Sequence, residues 1–107
     1  MLFRSHKRTV LATALTLGLL AAPVAQADLA MAKKYNCTAC HQVDKKTVGP
    51  AYKDVAKKYK GQAGATATLA AKVKKGGSGV WGPVPMPPNA AVPDGDIQKL
   101  VAWILAM

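Results

Sequence analysis

The chain reads as an all-α protein of about four short helices, and three observations predict it. Apolar residues recur three and four positions apart between Tyr52 and Tyr59 and again between Ile97 and Leu105, the spacing of one helix face. No segment alternates apolar and polar residues with the period of two that a half-buried strand needs. The third observation is Cys37-Thr38-Ala39-Cys40-His41, the C-x-x-C-H spacing at which two thiols attach one haem and the adjacent imidazole reaches its iron. The helices are therefore expected to pack around one covalently bound haem c.

The first 27 residues stand apart from that fold. Arg4, Lys7 and Arg8 form a basic start, Val10 to Ala22 is an apolar run of 13 residues, and Pro23 precedes the small-residue site Ala25-Gln26-Ala27. This is the pattern of a secretory signal peptide, cleaved after Ala27. The alternative is an uncleaved anchor, but the run is shorter than the roughly 18 residues of a membrane span. Residues 28–107 are left as one domain of 80 residues, without stable membrane insertion. Periplasmic export fits a c-type haem, which is attached after export.

The domain carries 12 lysines against five aspartates, a net charge of +7 before haem propionates, and has no Arg or Glu. An exported protein without a nucleic-acid motif is not expected to bind nucleic acid. A lysine-only surface favours weak, steered encounters of a monomer with acidic redox partners, and the plain alternative is solubility. Eighty residues also make a thin core, near the size at which folds recruit a cofactor to become stable.

Asp28 can cap a first helix whose positions Leu29, Ala32 and Tyr35 lead into the motif, with Asn36 where that helix gives way. Pro50 is placed to open a second helix, with Tyr52, Val55, Ala56 and Tyr59 on one face and Gly61 just beyond its end. A third can start at Thr66 or Thr68, present Leu69, Ala70 and Val73, and stop at Gly76-Gly77. The last begins at Asp94, with Ile97, Leu100, Val101, Ile104 and Leu105 inward and Trp103 as a bulky packing residue. The Gly- and Pro-rich stretch from Gly76 to Pro93 is expected to hold no regular structure. It is nevertheless too apolar for a linker, with Trp81, Val84, Met86 and Val92, and its four prolines between 83 and 88 stiffen it. A stiff apolar loop suits the haem face opposite His41.

C-x-x-C alone also suits a thioredoxin-like pair, a structural disulfide or half a zinc site. A redox pair would want a βαβ context, and zinc about four ligands from a chain with two Cys in all. With His41 on one side of the iron, the sixth position decides between electron carrier and enzyme. His6 and Met1 leave with the signal, Met31 lies just before the motif and Met107 is the terminus. Met86 remains, 45 residues after His41 and between prolines; the plain alternative for a Met is core filling.

The stretches Cys37 to His41, Val48-Gly49-Pro50-Ala51-Tyr52-Lys53-Asp54-Val55-Ala56 and Gly79 to Asn89, which includes Trp81-Gly82-Pro83-Val84-Pro85-Met86-Pro87-Pro88, resemble the small class I bacterial cytochromes c of the c-551/c-552 kind. The resemblance covers essentially all of residues 28–107. It implies the class I cytochrome c fold and single-electron transfer in a respiratory chain. It also implies that Pro50 orients His41 through its carbonyl, that Asn89 lies near the Met86 sulfur, and that Trp81 donates to a haem propionate. Relatives often carry Arg as a further propionate partner. Lys72 stands there in this chain and can neutralise the charge without forking onto it. Plain packing and a turn residue are the alternatives for Trp81 and Asn89.

With His41 and Met86 both bound, nothing need enter or leave the iron, and fast outer-sphere transfer follows through a haem edge ringed by lysines such as Lys33, Lys34, Lys45 or Lys46. The rival reading is a haem enzyme or gas sensor with a labile sixth ligand, which usually needs distal acid or base groups. A thiol- or metal-based module without haem is the third.

Overall fold

The computed structural model describes Thr13 and residues 27–107; the rest of the expected signal peptide lies outside the described residues. Among these, four α-helices and one two-stranded sheet follow in order.

Helix α1 (Leu29–Lys34) starts where the Asp28 carboxylate accepts from the Met31 N–H at 3.0 Å, satisfying a donor that the first turn leaves without a partner. Its end is marked by Asn36, which takes the left-handed conformation with φ 60°, tolerated by a short polar side chain. A single 3₁₀ turn, Cys37–Ala39, follows.

Helix α2 (Tyr52–Tyr59) buries the expected face of Tyr52, Val55, Ala56 and Tyr59, and Gly61 turns the chain away with φ +82°. Pro50 lies outside it. Ala51 is the cap, so the proline precedes the helix instead of opening it and leaves its carbonyl free for another partner. Helix α3 (Ala65–Lys75) begins at neither threonine. Ala65 and Leu69 are its buried positions, four residues apart and so on one face, and Gly64 in the left-handed conformation is its cap.

The stretch after α3 corrects the expectation of an irregular loop. Strands β1 (Gly77–Gly79) and β2 (Gly82–Met86) pair antiparallel, Gly77 with Met86 and Gly79 with Gly82. Prolines are compatible with this because Pro83 and Pro85 alternate and so share one side of an edge strand, where no ladder N–H is required.

Helix α4 (Asp94–Leu105) carries two aspartates in its first turn, favourable against the positive helix end. It packs on α2 and α3. Ile97, Leu100, Val101 and Ile104 are its buried side chains, each contributing about 1.5–3 kcal/mol by leaving water. They meet Val55 and Tyr59 of α2, Leu69 of α3 and the fully buried Ala32 of α1 in one core. The Tyr35 hydroxyl donates to the Asp96 carboxylate, linking the end of α1 to α4. No described helix is long and apolar enough to cross a membrane.

Candidate functional site

The C-x-x-C-H motif occupies one tight turn. The Cys40 and His41 N–H groups both donate to the Cys37 carbonyl, at 3.2 and 2.9 Å, so the two sulfurs and the imidazole are carried by a single backbone unit. The chain then doubles back beneath it. Gly49 N–H donates to Cys40 O at 2.8 Å, the Thr47 hydroxyl to the same oxygen at 2.6 Å, and Tyr52 N–H to Gln42 O at 2.9 Å.

That return fixes the imidazole from three directions. His41 Nδ1 lies 2.8 Å from the Pro50 carbonyl. A carbonyl oxygen only accepts, so Nδ1 carries the proton and the neutral ring presents the Nε2 lone pair to a metal. Tyr52 stacks on the ring, with centroids 5.1 Å apart and planes at 18°, and is itself held edge-on by Trp103 at 5.5 Å. Gly49 closes the third side: a Cβ there would stand 2.6 Å from His41 Cε1 and 2.9 Å from Nδ1.

Met86 arrives from β2, against the end of α3. It lines the same cavity as Cys37, Cys40 and His41, a space of about 450 Å³, within the size range of cofactor sites. Val55, Leu69, Val73, Leu100, Val101 and Ile104 supply apolar wall, and the hairpin from Gly77 to Met86 covers one side. Burial pushes the Cys37 thiol up from its ordinary value, with hydrogen bonds to Tyr52 and its own backbone opposing. Burial also raises the Tyr52 phenol, and the charge of a Cys37 thiolate and its hydrogen bond add to this. Both groups are neutral at neutral pH, so the lysines Lys46 and Lys72 are the charged side chains on the lining.

Pro50, Lys72 and Trp81 line the cavity too. Lys72 is half-buried, while Trp81 is 40% exposed at the mouth with Lys58 Nζ 5.7 Å above its ring. Asn89 stands behind the cavity. Its side-chain amide donates to Val73 O at 3.1 Å and Pro87 O at 3.3 Å, and its backbone N–H to Val73 O at 3.1 Å, which ties the segment after Met86 to α3. Sequence reasoning missed Gly49 as a floor for His41 and Val73 as an anchor for Asn89. The Gly-Pro pair was the available signal for the first, and nothing local marks the second.

The donor set fits a c-type haem: two unpaired, half-buried thiols, one imidazole with its far nitrogen held by a carbonyl, and an apolar cavity reaching a thioether. Comparison with known proteins agrees. The cytochrome c family profile matches residues 27–107. The chain belongs to the cytochrome c family. Cytochrome c-551 of Allochromatium vinosum is 60% identical over 86 residues, 80% of this chain and 92% of that protein. Cytochrome c-552 of Nitrosomonas europaea is 56% identical over 89 residues, 83% of this chain and 86% of that protein. Its wild-type crystal structure superposes with a TM-score of 0.72 over 74% of this chain and 98% of that one. The protein is thus an electron-transfer cytochrome with one covalently attached haem c, and the enzyme, thiol and zinc readings fall away.

Proposed function

We propose that this cytochrome is exported to the periplasm, released after Ala27, and carries single electrons in a respiratory chain, with His41 and Met86 as the residues that would ligate its iron. The observation that carries the ligand assignment is that His41, locked at Nδ1 by Pro50, and Met86 line one cavity with both cysteines. Haem supplies a one-electron change at iron. Cys37 and Cys40 hold the porphyrin, and Pro50, Tyr52 and Gly49 hold the imidazole. Met86 contributes a neutral, soft sulfur that favours reduced iron, and the apolar wall disfavours the extra charge of the oxidised state. Trp81 and Lys72 receive the propionates, and Asn89 steadies the methionine segment. In the reduced holoprotein, Met86→Ala should admit carbon monoxide and lower the potential. An unchanged spectrum that refuses carbon monoxide would remove Met86 from the iron.

The net charge of +7 on residues 28–107 supports a monomer steered to acidic partners, since attraction of this kind reaches about a Debye length, roughly 8 Å at physiological salt. Rates with an acidic partner should fall as salt rises; a flat series would leave the lysines a solubility role only.

A further inference from the structure

We infer that Gly76 is a positioning residue for the Met86 ligand: the absence of a side chain at the end of α3 lets the Met86–Pro88 backbone lie directly on it. The inference rests on the ligation proposed above and goes beyond it, since the sequence accounts for Gly76 fully as a helix stop.

Gly76 N–H closes the last turn on Lys72 O at 2.8 Å, with φ 71° and ψ −171°, a region that essentially only glycine occupies. Conformation is half of the demand. A Cβ at Gly76 would stand 2.4 Å from Met86 O and 2.9 Å from both Pro87 C and Pro88 N. All three are backbone atoms, so no rotamer change relieves the overlap. The contrast is Gly64, also left-handed at φ +74°, where a Cβ meets nothing within 4 Å.

The ligand segment is thus seated twice on the same helix end. Gly76 takes its backbone at Met86 itself, while Val73 O takes the Asn89 N–H and amide three residues later. The strand pairing of Met86 with Gly77 adds a third hold. Lifting the segment off Gly76 while Asn89 stays fixed would swing the sulfur away from its place in the cavity. The close backbone approach therefore sets how firmly the thioether reaches the iron.

The test uses ferric holoprotein and cyanide, which competes with the methionine for the iron. Gly76→Ala should bind cyanide at least roughly tenfold more tightly than wild type, equivalent to about 1.4 kcal/mol. It should also weaken the far-red band of sulfur on ferric haem. Gly64→Ala shares the positive φ and should only lower the melting temperature. Wild-type cyanide affinity in Gly76→Ala, beside raised affinity in Met86→Ala, would reduce Gly76 to a helix stop. Unchanged affinity in Met86→Ala would instead overturn the ligation itself. If Gly76→Ala yields no holoprotein, the Gly76→Ala/Met86→Ala pair decides. Recovery of holoprotein supports the inference because the freed segment can move aside, and continued failure overturns it.

Discussion

A chain that cannot attach haem should not keep this fold, and the size of the cavity says why. The space shared by the cysteines, His41 and Met86 is about 450 Å³. At the ~24 cal/mol per Å³ by which enclosed cavities destabilise cores, about 10 kcal/mol is the upper limit of the cost of holding it open, since its mouth meets solvent beside Trp81. A domain of 80 residues has roughly 4–12 kcal/mol of stability in total. Even half of that limit consumes much of what is available, so collapse or unfolding is favoured over an open apolar site. Cys37→Ala/Cys40→Ala is a suitable perturbation, since it removes the two half-buried thiols that would hold the haem and, among side-chain hydrogen bonds, only the long contact of Cys37 Sγ to Tyr35 O at 4.0 Å. Far-ultraviolet circular dichroism and scanning calorimetry, beside the holoprotein, should show most of the helix lost and no cooperative melting. A sharp transition with holoprotein-like helix would refute the reasoning, because it would mean that the core formed by α4, α2 and Leu69 suffices alone.

Two further predictions use features around that cavity. Gly49→Ala should force the imidazole away from Pro50, losing a hydrogen bond of about 0.5–1.5 kcal/mol and leaving the ring a weaker donor, so the potential should rise by roughly 20–60 mV. Its control is Gly95→Ala, which meets nothing within 4 Å and should leave the potential unchanged while stabilising by about 0.4–1 kcal/mol; equal potentials in both variants would dismiss the close approach at Gly49. Tyr35→Phe should be less stable at neutral pH. The hydrogen bond to Asp96, then burial and the Asp96 charge, raise the Tyr35 phenol above 10.0, so this stability is complete below that pH and lost as pH rises through the folded value. Urea melts at neutral and strongly alkaline pH should show the gap to wild type closing on the alkaline side, and a gap independent of pH would deny the contact.

What the sequence reveals of this molecule is what local spacing can encode. The faces of α2 and α4 were legible because three- and four-residue periodicity is written in consecutive residues, and the Asp28 cap because its partner lies three positions away. The start of α3 was not, since the two threonines are better caps by type than Gly64, whose left-handed conformation decides. The hairpin after α3 was missed for a related reason. Glycine and proline each argue against a strand, yet Pro83 and Pro85 fall on the one side of β2 that can do without donors. Composition cannot register that, but pairing can.

The glycines carry the argument one step further. In sequence Gly76 reads as a helix stop, which the backbone bears out, and Gly49 only as one residue of the stretch from Val48 to Ala56. Their further significance lies in the atom they lack, because His41 presses against one and the Met86 carbonyl against the other. Each contact is made by a local return of the chain, the loop that doubles back under the haem motif in one case and the β1–β2 hairpin in the other. The proposed iron ligands are thus each seated against a glycine, one from the loop after the haem motif and one from the end of α3. The placing of His41 and Met86 owes as much to backbone that approaches closely as to the two side chains proposed to touch the metal. A change at either glycine should therefore appear first in the potential or the ligand affinity, where a change elsewhere in the core should appear first in the melting temperature.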